Sequence, residues 1–208
     1  MNWIDGVLLV LLLASVIVGS KKGLIRELMA FVVFFVAIIF SVTYIDNFAV
    51  WVHEQLGGSP LVSAFLSFVI LLAISYAGFK LIGLLFYKVA DLKRTGRKDQ
   101  LGGALIGFLR GWMAIGFLAF LVFLLPLPNQ FYVSFESSFF GPAVAKTVPL
   151  MFEGTATVHP KSPDFMNKIE RALLVAQGSS GGVADEDRIE VYQVLQQMRQ
   201  FFNTGLGD

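Results

Sequence analysis

Long apolar runs that are nearly free of charged side chains are the feature that most limits what this 208-residue chain can fold into. A helix that crosses the hydrocarbon core of a bilayer needs about 20 mostly apolar residues. Four runs reach that length, and they predict spans over residues 3–20, 28–44, 61–79 and 105–125. Phe and Leu dominate all four, so each is apolar on every face. The predicted fold is therefore all-α, an integral membrane helical bundle with four transmembrane helices.

The overall composition agrees with a membrane protein and excludes several other classes. Hydrophobic residues make up 56% of the chain and charged residues only 15%, whereas a soluble domain has about 45–50% and about 25%. An ordinary soluble globule and a disordered chain are both excluded. A net charge of +1 gives no global field for binding nucleic acid. The absence of cysteine excludes a disulfide framework and a thiolate zinc site. We expect the lipid bilayer as a partner, with no nucleic acid and no cofactor.

Lys and Arg in the short connections predict the orientation of the spans. The connection after the second span, residues 45–60, has no Lys or Arg, whereas the connections after the first and third spans are basic. Their basic residues are Lys21, Lys22 and Arg26, and Lys88, Lys93, Arg94, Arg97 and Lys98. The two basic connections are predicted to be cytoplasmic, with both termini outside the cytoplasm. Residues 1–5 have no basic side chain, so we expect a retained first helix rather than a cleaved signal peptide.

The predicted transmembrane region covers residues 1–128. After it the long uninterrupted apolar runs end. Pro142 and Pro149 break an aromatic stretch, which predicts an interfacial segment over residues 129–160 rather than a fifth span. Residues 161–208 are predicted to form an amphipathic helical tail with a Gly/Ser linker at 178–182. The apolar stripes of its two helices are Phe165, Ile169 and Leu173, then Val191, Val194, Leu195, Met198 and Phe202. The stripes indicate docking on this protein or on a neighbour, with recognition of a partner or a lipid surface as the alternative.

Sequence signatures of an enzyme are absent. The chain has neither the Gly-x-Ser-x-Gly elbow nor the phosphate-binding Gly-x-x-x-x-Gly-Lys-Ser/Thr loop. Its two histidines, His53 and His159, lie in polar stretches far apart and are expected to be solvated surface residues. We expect no enzymatic activity.

Two groups of residues stand out near the cytoplasmic ends of the spans. Arg26 and Glu27 are adjacent, so on a helix they point about 100° apart and are expected to reach different neighbours or to anchor the topology. Gly103, Gly107 and Gly111 recur every four residues, which lets a second helix approach closely. The glycine stripe predicts tight helix packing, within the chain or between copies.

Arg110 lies inside this glycine stripe, where a charge in lipid would cost at least about 2.5 kcal/mol. Two interpretations are open. In the first, which we favour, residues 101–109 are partly interfacial and Arg110 marks the inner edge of the span. In the second, Arg110 is buried against an acid, for which Asp99 is the candidate and Asp5, predicted at the opposite face, is not.

Several short motifs occur together in a characteristic order. They are Asn2-Trp3-Ile4-Asp5, then Lys22-Gly23-x-x-Arg26-Glu27, then Asp99 followed by Gly103, Gly107 and Arg110-Gly111. Over residues 1–150 the chain resembles the colicin V production protein family. Lys22, Gln100 and Gly102 depart mildly from the pattern of that family. The resemblance implies a multi-pass protein of the bacterial inner membrane and a link to colicin V production or export and to envelope function. It implies no catalytic residues.

Two functions follow as hypotheses. The first is a non-enzymatic membrane protein that supports toxin production, export or envelope homeostasis by assembling with other membrane proteins or as a homo-oligomer. The alternative is a small oligomeric channel or transporter, which would need polar residues at mid-membrane depth. The second and third spans offer almost none.

Overall fold

A computed structural model describes residues 2–89, 96–159, 164–178 and 185–204, and every regular element in these ranges is helical. The elements are α1 (Trp3–Lys22), α2 (Leu24–Leu56), α3 (Pro60–Val89), α4 (Arg97–Phe123), α5 (Asn129–Glu136), α6 (Gly141–Ala145), α7 (Thr147–Gly154), a 3-10 turn (Ala156–Val158), α8 (Phe165–Gly178) and α9 (Asp185–Phe202). Helices α1 to α4 are long and apolar enough to cross a membrane. The all-α fold with four membrane-spanning helices is confirmed.

Helix α2 extends well past its predicted span. The first part of the predicted connection over residues 45–60 belongs to this helix, which continues to Leu56. Polar residues lower the mean hydropathy of this stretch. The helical spacing of its apolar residues continues, since Ile45, Ala49 and Val52 are buried along one face. The helix ends at Gly57, whose φ of 65° favours glycine. At 33 residues, α2 is about 50 Å long and exceeds the hydrocarbon thickness of about 30 Å.

Helix α2 contacts each of the other three long helices. Helix α3 packs along α2, while α4 packs along α1 and also crosses α2. Phenylalanine rings fill the bundle between them, and the Phe68 and Phe120 ring centroids lie 4.7 Å apart in an edge-to-face contact. Both rings are fully buried. Helix α2 therefore forms the centre of the bundle.

The tail docks on its own bundle. Helix α8 packs on α2, and α9 packs against α8. Every residue of the two predicted apolar stripes is buried, so docking on this protein is confirmed. Lys168 adds an ion pair of 2.7 Å to Asp46 of α2. The predicted Gly/Ser linker, apart from Gly178 at the end of α8, lies outside the described residues.

Residues 129–159 form the short helices α5 to α7 and the 3-10 turn. Val144, Val148 and Phe152 are fully buried in the core shared with the long helices. The segment is therefore packed on the bundle. Its location at a membrane interface stays a prediction.

Helices α1 and α4 approach closely through small residues in antiparallel register. The facing pairs are Gly23 with Gly103, Gly19 with Gly107, and Ser15 with Gly111. A Cβ atom added at Gly107 would lie 2.9 Å from the Gly19 Cα atom, so no side chain fits without a shift. The Ser15 hydroxyl also donates a 2.7 Å hydrogen bond to the Gly107 carbonyl. The glycine stripe therefore packs within the chain, on a matching Ser15-x-x-x-Gly19-x-x-x-Gly23 stripe that the sequence reasoning missed.

We expect Gly107→Ala to destabilise the protein by about 1–3 kcal/mol, the usual cost of overpacking. The added methyl group would meet main-chain atoms of α1, which cannot rotate away. The free energy of unfolding is measured in one fixed detergent, with circular dichroism as the signal for loss of helix. Gly78→Ala in α3 is the matched control, because no atom lies within 4 Å of its added Cβ. Equal stability of the two variants would contradict the assigned α1–α4 contact.

Candidate functional site

A buried ion pair joins α2 and α4. Arg110 Nε lies 2.7 Å from Glu27 Oε1, with the glutamate side chain fully buried and the arginine side chain 20% exposed. Lys22 Nζ lies 3.7 Å from the other carboxylate oxygen, Glu27 Oε2. One carboxylate thus contacts two cations. These three groups together carry a net charge of +1.

Local geometry explains why these side chains meet. Glu27 lies in the first turn of α2, close to the α1–α2 junction at Gly23. Arg110 directly precedes Gly111 of the glycine stripe, so it points about 100° away from the face that packs on α1. This direction brings its guanidinium to α2. Arg26, the neighbour of Glu27 in sequence, instead lines a pocket together with Lys22, and its predicted role as a topology anchor or a contact to another group stays a prediction.

The structure corrects the sequence-based assignment for Arg110. Arg110 lies level with the first turn of α2, as the inner-edge interpretation requires, but it pairs with a buried acid. The acid is Glu27, so the choice of Asp99 was wrong. Glu27 belongs to the second span and Arg110 to the fourth. Hydropathy alone does not show which spans lie next to each other, so it could not indicate this pair.

Asp99 has another role at the same end of the bundle. Its Oδ1 atom accepts a 2.9 Å hydrogen bond from the backbone N–H of Leu24, the first residue of α2. Gly23, which precedes α2, offers no side chain to cap the helix. Its φ of 85° and the Asp99 carboxylate packed against it both require glycine. Asp99 therefore caps α2 from the start of α4.

Asp5 organises the opposite end of the bundle. Its Oδ1 atom accepts hydrogen bonds from the Phe139 and Phe140 backbone N–H groups, at 2.8 and 3.1 Å. Its Oδ2 atom accepts from the Asn2 N–H at 2.9 Å, which completes a capping box at the start of α1. Asp5 is fully buried. It ties α1 to the α5–α6 link and lies far along α1 from the ion pair.

The histidines are not surface residues, so that expectation was wrong. His53 is 3% exposed, and its Nδ1 atom lies 3.2 Å from the hydroxyl of Ser63 in α3, which is 2% exposed. His159 is 8% exposed and stacks on Phe152 with ring centroids 3.9 Å apart. The His53–Ser63 contact joins α2 and α3.

Two cavities flank the ion pair. One, of about 500 Å³, lies mainly between α3 and α4 and is lined by Arg110, Ser15, Tyr76 and otherwise apolar side chains. The other, of about 280 Å³, lies between α2 and α3 and is lined by Lys22, Arg26 and Lys80. Tyr76 lines both cavities. The residues singled out from the sequence are thus divided between helix contacts and the walls of these cavities.

Four long apolar helices that enclose a charge pair and a glycine-mediated contact define a multi-span helical membrane protein. The family description of the colicin V production protein matches residues 4–149. The chain belongs to the colicin V production protein family.

The chain is also similar to a bacterial transmembrane protein. The chain is 25% identical over 140 residues to the uncharacterized transmembrane protein YshB of Bacillus subtilis (strain 168), covering 60% of this chain and 79% of YshB. No solved structure matches the chain significantly. The family match therefore rests on sequence and runs from the four long helices through α6 to the first residues of α7.

We expect Glu27→Gln to destabilise the protein by about 3–5 kcal/mol, because it leaves the half-buried Arg110 charge without its counter-ion. Denaturant unfolding in detergent measures the loss. The double variant Glu27→Gln/Arg110→Gln should lose less free energy of unfolding than the two single variants lose together, since it leaves neither charge buried without a partner. Glu54→Gln, at an exposed position of the same helix, is the matched control. Additive losses would show that the pair is not energetically coupled.

Proposed function

We propose that this chain is a non-enzymatic protein of the bacterial inner membrane that supports toxin production or export, or envelope homeostasis, by assembling with other membrane proteins or with copies of itself. Family membership supplies the context of colicin V production. Assembly with other membrane proteins or with copies of itself would be its mode of action in that context.

One observation carries the proposal. The charged and small residues that carry the family resemblance are largely taken up by contacts inside the chain. Glu27 binds Arg110, Asp99 caps α2, and Asp5 holds the α5–α6 link. Groups engaged in this way stabilise an arrangement of helices and are poorly placed to act on a substrate. The surfaces left to contact other proteins are then the outer faces of the bundle and its two ends.

The channel or transporter alternative is favoured by one feature, the contact of Arg110 with the larger cavity. A charged side chain at a cavity within the membrane is typical of a transport pathway. The described lining is otherwise mostly apolar, with Ser15 and Tyr76 as its further polar residues. A polar path through a single copy would need more such groups, so this alternative requires an oligomer.

The proposed orientation puts the end that carries Lys21, Lys22 and Arg26 in the cytoplasm and the docked tail helices outside it. A fusion of alkaline phosphatase to the C-terminus should be active, and a green fluorescent protein fusion at the same point should be dark. Fusions placed at residue 96, in the connection to α4, serve as the matched control and should behave in the opposite way. A fluorescent C-terminal fusion with an inactive phosphatase would overturn the orientation.

The function itself is tested by deleting the gene in a colicin V-producing host. We expect less toxin in the medium, or greater sensitivity to detergents that stress the envelope, with recovery on complementation. Arg110→Ala should complement poorly, because it leaves the buried Glu27 carboxylate without the arginine that pairs with it. Immunoblotting of membranes distinguishes a loss of protein from a loss of function. Unchanged toxin export and unchanged detergent sensitivity in the deletion strain would overturn the proposal.

A further inference from the structure

The cavity between α2 and α3 combines a cluster of cations with an apolar wall. Lys22, Arg26 and Lys80 line it, and none of its described lining residues is Asp or Glu. Met29, Ala30 and Val33 form the apolar wall on α2. Lys80 Nζ lies 5.9 Å from the centroid of the Tyr76 ring, which holds the amine beside the cavity. A ligand that fits this lining has an anionic group at one end and a hydrocarbon portion at the other.

The depth of the cavity matches that of a lipid headgroup. Arg26 lies in the first turn of α2, and Lys80 lies about 30 Å from the start of the antiparallel α3 at 1.5 Å per residue. This distance equals the hydrocarbon thickness of a typical bilayer, about 30 Å. The cations therefore lie where one leaflet changes from acyl chains to headgroups, and basic pockets between transmembrane helices at this level bind anionic headgroups.

The larger cavity continues the site toward the middle of the membrane. Tyr76 borders both cavities, and beyond it the larger one is lined by Phe34, Leu72 and Leu121 among other apolar residues. These residues lie further from the cationic end along α2, α3 and α4. A phosphate at the cations and an acyl chain running past Tyr76 would occupy both cavities in the orientation that a lipid has in its leaflet.

We propose that this composite cavity is a binding site for one anionic glycerophospholipid. Lys22, Arg26 and Lys80 bind the phosphate-bearing headgroup, and the apolar walls hold an acyl chain. Lys22 also contacts Glu27, so a bound headgroup would share a cation with the ion pair that joins α2 and α4. The site is independent of the proposed function, since a lipid can stabilise this bundle whatever the bundle does in the cell.

The test uses the full-length chain purified in a neutral detergent. Phosphatidylglycerol, phosphatidylcholine with identical acyl chains, and inorganic phosphate are titrated separately while thermal unfolding is followed. We expect phosphatidylglycerol to raise the unfolding temperature in a saturable way, and the other two to raise it little. Equal effects of the two lipids would show a general lipid requirement, and equal effects of inorganic phosphate would show a simple anion site. Either result overturns the proposal.

Single variants locate the site. Arg26→Gln and Lys80→Gln should each weaken the apparent affinity for phosphatidylglycerol about fivefold, the effect of one cation near an anionic lipid. Both side chains are exposed, so each variant should unfold at the wild-type temperature without lipid. Lys21→Gln removes the same charge beside Lys22, at a residue that does not line the cavity, and should leave the affinity unchanged. An equal loss in Lys21→Gln would mean diffuse surface attraction and would overturn the assigned site.

Discussion

The ion pair between Glu27 and Arg110 is the interaction on which the arrangement of the bundle depends. A buried charge without its partner is strongly destabilising, so α2 and α4 must keep the rotation and the register that bring the two side chains together. The close α1–α4 contact through Gly107 holds the same region of α4 from its other side. Charge pairing and small-residue packing thus constrain one helix from two directions.

Carboxylates also organise both ends of the molecule by accepting hydrogen bonds from backbone N–H groups. Asp99 caps α2 where Gly23 cannot, and Asp5 receives the N–H groups of the α5–α6 link. Where little water is available, such groups must be satisfied from within the protein. The long α2 then links the two ends, with the ion pair near its start and the docked tail along its far half.

Much of the fold was predictable because it rests on local properties of the chain. Four apolar runs predicted four helices, and the spacing of Phe165, Ile169 and Leu173 predicted the buried face of α8. Features that depend on contacts between helices were not predictable in the same way. The continuation of α2 to Leu56 was not predicted because polar residues lower the hydropathy there, although the docked α8 covers the apolar face that continues along the helix. His53 looked solvated because its sequence neighbours are polar, although α3 covers it.

The amino-acid sequence by itself determined that this protein is a helical membrane protein of four spans, because the free energy of placing a helix in a bilayer is a sum over its own side chains. It also marked the glycines and the charged residues that matter, and the family to which they belong. Only the tertiary structure decided that Glu27 pairs with Arg110, that the glycine stripe packs on α1, and that three cations share one cavity. Such pairings depend on the rotation and register of helices distant in sequence, and no local pattern specifies them.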